Sequence, residues 1–394
     1  MVGSPASADE PVSSEHPVPS DRPTPKLEDN TTKRASLEMS TYADTDHVTV
    51  FTPSIAGSID NITGGASISG RYLVDVVSAA SVDIVSTASR RWREVRQAGS
   101  FLGEYKPYDF GIAVGGSLSS EPDYFGWGGG VTLTHDFNEK NVTLLGGYGY
   151  GHDTIGRAGT PFSVFSRDVN HSTFNLGATL VVNRATVLTL GGDLVIEYGD
   201  QSKPYRYIPM FAPNVAPNVP QGASIEYVTA NRLPERPLEQ LPLSRRRYAL
   251  SARLAHRFDA STVRLEQRFY DDSWGLFGST TDLRWIFDVG RRLSLWPHAR
   301  FHGQNSVSFW QRAYVSGAAP GWNLPEFRTG DRELGPLWTA TGGAGAKVYL
   351  GSHAEPRTWA LGLQVDTMYT SFLDDLYLTS RTSILTSLTL EGEL

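Results

Sequence analysis

The side chains with most capacity for chemistry are charged residues at alternate positions of apolar or small-residue runs. They are Arg71, Asp75, Asp109, Asp136, Asp193, Glu197, Arg253, Arg257, Arg264, Glu266, Arg268, Asp282, Arg284, Asp288, Arg300, Lys347, Asp366 and Arg381. His298 and His302 share that phase. Alternation of this kind puts successive side chains on opposite faces of a strand. The arginines crowd into residues 253–300, whereas the acids are spread more widely. Two readings of such a surface stay open. Charges on neighbouring strands can pair and stiffen a wall. They can also line a water-filled passage and select solutes by charge.

Other chemistries are less well supplied. Asp44 and Asp46, Asp271 and Asp272, and Asp374 and Asp375 are paired carboxylates of the kind that can hold calcium. None has EF-hand spacing, and each pair lies beside Tyr or Trp, where aspartate forms turns next to an aromatic belt. The expectation is therefore no metal and no resident cofactor. His298 and His302 lie about 13 Å apart along a strand, too far to share one ion. His152 and His171 sit near Asp153 and Asp168, the only hint of a hydrolase. No G-x-S-x-G, P-loop or dinucleotide fingerprint accompanies them. The protein is not expected to be an enzyme, with an outer-membrane hydrolase as a weak alternative. A formal net charge of −7 argues against a nucleic-acid partner. With no cysteine, disulfides and thiolate chemistry are excluded.

The elements that must position these charges are strands. Val142–His152 and Val169–Val182 alternate apolar with polar or small residues, as does the run from Leu188 to Tyr198. Each exceeds the usual soluble strand and suits a tilted crossing of a bilayer. About sixteen such runs (14–18) follow one another between 35–43 and 378–394. Their connections sort by parity. Short turns at 138–140, 183–185, 259–260, 290–291 and 351–356 alternate with long loops at 153–167, 200–244 and 305–335. Short turns on one side and long loops on the other is the pattern of an outer-membrane barrel. The 39 glycines, 17 tyrosines and 17 phenylalanines fit a crowded wall with aromatic girdles.

The fold class expected is thus all-β: a transmembrane antiparallel up-and-down β-barrel over residues 35–394. Its turns are short and periplasmic, and its extracellular loops are long. Residues 1–34, rich in Pro, Ser and acids, are expected to be a disordered tail. Met1–Asn30 has no basic n-region or apolar h-region. Export would then rely on a signal upstream of this start, or one already trimmed. An even strand number puts both termini in the periplasm of a bacterial outer membrane.

Four stretches resemble a known family. They are the acidic Tyr42–Asp46, the segment Val74–Ser81, Ser119–Tyr124, and the turn Asp136–Asn141. Together they are similar to the uncharacterised DUF3570 proteins, which are regarded as outer-membrane barrels. The resemblance implies that fold and membrane and brings no activity with it. The small-residue segment Val76–Ser89 nearby is expected to form a loop folded into the barrel mouth.

The functional expectation is a channel for a solute through a charged lumen, with the lipid bilayer of the outer membrane as the expected partner and the solute or protein partner unknown. The alternatives are a closed scaffold plugged by loops 200–244 and 305–335, a barrel hydrolase, and a soluble all-β protein.

Overall fold

The computed structural model describes residues 31–79, 92–317, 323–351 and 359–394. Nine strands come first: β1 (Thr31–Asp44), β2 (Val48–Asn61), β3 (Ala66–Ala79), β4 (Trp92–Tyr105), β5 (Phe110–Glu121), β6 (Tyr124–Phe137), β7 (Val142–Ile155), β8 (Arg167–Asn183) and β9 (Thr186–Gly199). A long loop then carries the two-residue β10 (Met210–Phe211) and the helix α1 (Ile225–Asn231). Four longer strands follow: β11 (Ser244–Arg257), β12 (Ser261–Asp272), β13 (Phe277–Val289) and β14 (Leu293–Gln304). A second long loop holds β15 (Tyr314–Val315). The chain ends with β16 (Leu337–Tyr349), β17 (Ala360–Phe372) and β18 (Ser380–Glu393).

All strands but β10 and β15 close into one barrel of sixteen, each antiparallel to its sequence neighbour in the wall. The ring is sealed by β1 against β18, for example Arg34 opposite Glu393 and Asp44 opposite Ser383. Closure removes every free sheet edge, so all strand amides and carbonyls have somewhere to pair.

The alternation decides which face is which. Leu37, Met39, Ile55, Ile68, Leu363 and Val365 are exposed on one side of the wall. On the other side, side chains two strands apart meet. Arg71 of β3 reaches Glu38 of β1 at 3.2 Å. Arg257 of β11 reaches Asp288 of β13 at 2.6 Å. His298 of β14 meets Asp366 of β17 at 2.7 Å, across β16. Side chains converge in this way only on the concave face of a cylinder, so the charged set points inward. The apolar set forms the outer band. An exposed apolar surface that encircles the molecule is matched by lipid tails and not by water.

Connections on the terminal side are tight. In the β6–β7 turn, Asn138, Glu139 and Lys140 all adopt positive φ. Asn141 donates from both its main chain and its side chain to the Asn138 carbonyl, at 3.0 and 2.8 Å. Gly65, at φ +65°, lets the β2–β3 turn lie against the next one, where the Lys106 amide donates to its carbonyl at 2.6 Å.

Two expectations shift. The strand β1 begins at Thr31, inside the stretch assigned to the tail, because Thr31 to Lys33 find register partners Asn61 to Ile59 on β2. Residues 1–30 lie outside those described. Val76–Ala79 belong to β3, so the expected mouth loop cannot start there; residues 80–91 lie outside the described set.

Candidate functional site, a charged bore beneath a folded cap

The pairing register puts nearly all of the singled-out charges on the inward face. Asp75 accepts from Arg96 Nε at 2.7 Å and from Thr52 at 2.6 Å. Asp136 accepts from Lys106 and Thr143, both at 2.7 Å. Glu197 pairs with Arg247 at 2.9 Å, and Asp193 lies 3.7 Å from Arg268. Arg253 binds Glu266 at 2.7 Å. Lys347 pairs with Glu391. Arg381, near the long-loop rim, reaches Glu333 at 3.2 Å. Asp109 is a correction: β5 starts at Phe110, and Asp109 sits in the turn after Pro107, where its carbonyl accepts the Asp136 amide at 2.8 Å. The ladder of β5 with β6 begins only at Phe110, opposite His135, so Asp109 stands outside the strand.

Within β12, β13 and β14 the register produces an unusual juxtaposition. Arg264 stands directly opposite Arg284, and Arg284 opposite His298. Asp282 stands opposite Arg300. His298 is held from both sides: Nδ1 is 2.7 Å from Asp366 and Nε2 is 2.9 Å from Asp282. Two carboxylate acceptors require a proton on each ring nitrogen, so this geometry is that of an imidazolium. Gln364 donates to Asp366 at 2.9 Å and accepts from Trp296 at 2.5 Å, which extends the network. His302 instead bonds Thr280 at 2.8 Å.

The long loops build a cap at the opposite end from the termini. Its core holds Phe211, Val219, Val228 and Leu376, with a second cluster around Trp274, Val307 and Leu334. The large fully buried side chains of the protein are concentrated here; the barrel wall contributes few. Helix α1 is capped by Ser224, which accepts from the Tyr227 amide at 3.2 Å, and buries Val228 in that core. The Pro-flanked β10 pairs in parallel with β15, joining the two loops.

Polar contacts fix the cap to the rim. Tyr205 donates to Asp123 of the β5–β6 turn at 2.6 Å. Burial, helped by that carboxylate, pushes its phenol up to about 12. Gln221 donates to the Phe372 carbonyl, and Ala223 to that of Leu376 at 2.7 Å, on the β17 side. These anchor points lie far apart around the ring, so the loop between β9 and β11 bridges the mouth. Arg332, in the second loop, reaches Asp46 of the β1–β2 turn at 2.6 Å. Inside the cap, Glu239 is fully buried and satisfied by Arg206 at 3.1 Å, Thr329 at 2.6 Å and the Lys203 amide at 2.9 Å. Asp331 lies 3.0 Å from Arg206. Burial opposes its charge, yet that guanidinium and the Glu333 amide hold its carboxyl well below the usual range. A cleft of about 600 Å³ opens at the foot of the cap between Arg167, Asp200 and Phe327.

The loop carboxylates named as weak metal candidates are engaged elsewhere. Asp44 accepts the amides of Asp46 and Val48 at 3.0 and 2.9 Å, and Asp375 those of Tyr377 and Leu378 at 2.9 and 2.7 Å. Asp272 binds Arg245 at 2.5 Å and accepts the Trp274 amide at 2.9 Å. Asp374 pairs with Arg312 at 2.8 Å, and Asp271 faces outward on the strand. Among the described residues a different set of acids comes together: Glu94, Glu121 and Asp123 bring carboxylate oxygens within 4.8 Å of one another at the long-loop rim. Glu121 and Asp123 stand out in the sequence, but Glu94 joins them only through strand pairing. Glu38, Arg96 and Glu104 also point inward, and their alternation with apolar neighbours is visible in the sequence. His152 and His171 face opposite sides of the wall. The first lies outward, 3.5 Å from Asp168, and the second inward, 3.7 Å from Asp153.

A family model described as "Protein of unknown function (DUF3570)" matches residues 78–359. The chain belongs to the DUF3570 family. The DUF3570 match leaves the acidic stretch Tyr42–Asp46 outside it. Among solved structures, the chain is similar to the siderophore receptor PirA from Acinetobacter baumannii, at 13% identity and TM-score 0.41, covering 88% of this chain and 54% of that one. It therefore spans about half the length of that receptor. It is also similar to a bacterial polysaccharide outer membrane secretin, at 8% identity and TM-score 0.46, with 94% and 100% covered. A third is OccK7 (OpdD) from Pseudomonas aeruginosa, at 9% identity and TM-score 0.42, with 92% and 98% covered. No curated protein matches the sequence.

Proposed function

We propose that this DUF3570 barrel spans a bacterial outer membrane and passes a small polar solute through its charged bore, with the folded cap governing entry from outside. The short turns and both termini then lie in the periplasm. The observation that carries this reading is the placement of Arg264 directly across from Arg284, with Arg300 two strands away. Like charges in register destabilise a sheet, and the same ladder also sets Glu266 against Asp282, so the wall carries adjoining bands of like charge. A lining that must present positive charge to a solute accepts that penalty. The reading makes the protein a conduit without bond-making chemistry or a resident cofactor.

The second reading is a closed scaffold, and the bridging cap favours it. Planar-bilayer recording of the full chain separates the two. The passage reading expects discrete conductance steps whose ion preference depends on the lumen charges. A correctly folded barrel that never conducts, in either voltage polarity and with the cap proteolysed, contradicts it and supports the scaffold.

A further inference from the structure

The bore carries its charges unevenly around the ring, and the two halves of that pattern face each other. Inward positions of β11 to β14 hold eight arginines against four acids among the described residues. In the ring order, β2 to β5 stand directly across from those strands. There the inward positions hold five acids against two arginines. On the acidic side both arginines are committed: Arg71 to Glu38 at 3.2 Å and Arg96 to Asp75 at 2.5 Å. On the basic side Arg245, Arg253 and Arg257 pair with acids of their own arc, and Arg247 and Arg268 with Glu197 and Asp193 of β9; with eight arginines against four acids the arc still carries net positive charge. Asp60 and Glu104, across from that excess, lie toward the terminal end of the bore; Glu94 and Glu121 lie toward the rim.

Resting on the passage reading above, we infer that the bore is an electrostatically polarised slot whose solute class is zwitterionic: a small molecule bearing a separated cation and anion, such as an amino acid or short peptide. A transverse field between low-dielectric walls adds little for a neutral solute. It repels a singly charged one from one half of the slot. It favours a molecule that can turn its carboxylate to the arginines and its ammonium to the acids.

The test uses the full-length protein in proteoliposomes and in planar bilayers. Entry of glycylglycine is compared with that of erythritol, an uncharged molecule of similar bulk, and ion preference is read from reversal potentials. The wild type is expected to admit glycylglycine about threefold faster. Replacing Arg264, Arg284 and Arg300 together by glutamine is expected to remove that advantage and to shift the reversal potential toward cations. Lysine at the same three positions is expected to restore both, which separates charge from wall structure. Heat-modifiable gel mobility confirms that each variant is folded. A conducting wild type that admits both solutes equally overturns this inference and leaves passage standing. A conducting glutamine variant with unchanged solute ratio and ion preference does the same. A folded wild type that never conducts overturns both.

Discussion

Replacing Arg332 by alanine removes the guanidinium that ties the second long loop to the β1–β2 turn. Asp46 is 3% exposed and Arg332 lies at 2.6 Å, so the variant takes a cation away from a carboxylate in a nearly water-free place. Breaking one side of such a pair is destabilising by about 3–5 kcal/mol. The loss falls on the closed cap, since the barrel ladder of β1 with β2 and β18 does not depend on this contact. At about 1.4 kcal/mol per decade, the population of cap-open molecules rises by roughly two to three and a half decades. Amide hydrogen exchange reads this directly. The Leu334 amide, which donates to Asp331 at 2.8 Å, and the Val307 amide, which donates to Leu334 at 3.0 Å, lose protection, while strand amides keep theirs. Under the passage reading the same variant also shows longer open times. Unchanged exchange at Leu334 and Val307 in a folded variant refutes the argument that this pair holds the cap closed.

Three further outcomes follow from the same geometry. Asp331 has its carboxyl lowered by Arg206 against the opposing effect of burial, so its contribution is full above the unfolded value near about pH 4 and is lost only as pH falls through the lower folded value. Cap protection by hydrogen exchange should be flat from neutral pH down to that point and fall below it, and Asp331→Asn should reduce it at neutral pH. Gly65→Ala forces a Cβ at φ +65° to within 2.3 Å of the Lys106 carbonyl; a loss of at least about 1–3 kcal/mol should lower the midpoint of heat-modifiable gel mobility. Leu363→Arg puts a charge on the outward band of β17 and should destabilise by about 2–4 kcal/mol in lipid, whereas Ser387→Arg, inward beside Glu38, should change little by the same assay.

The wall was legible in the sequence because a strand period of two marks both faces at once. The run Leu361, Leu363 and Val365 against Gln364 and Asp366 carries outward and inward assignment without any contact information. Turn chemistry was equally local: Asn138-Glu139-Lys140 reads as a turn, and it is one. The misread Asp109 came from starting a strand at Pro107, whereas the ladder with β6 begins at Phe110. The site was legible only in part. That Arg264 and Arg284 share a face follows from periodicity, but their standing opposite each other depends on the length of the 272–277 connection and the register it sets. The convergence of His298 on Asp366 skips a strand and needs the curvature of the closed ring. The cap was visible as two long Pro-bearing loops, the second with Trp310 and Trp322. Its fold was not, because the pairing of Met210–Phe211 with Tyr314–Val315 joins segments with no shared pattern.

The absence of native cysteine allows single cysteines to be placed along β17 without background labelling. The decisive measurement is block of single-channel current by a water-soluble, charged thiol reagent at consecutive positions from Leu361 to Thr370. A bore lined by the ionised face predicts a strict two-residue rhythm, with block at Gly362, Gln364, Asp366, Met368 and Thr370 and none at Leu361, Leu363, Val365, Thr367 and Tyr369. Block without that rhythm, or modification of the even positions that leaves the current untouched, would contradict it.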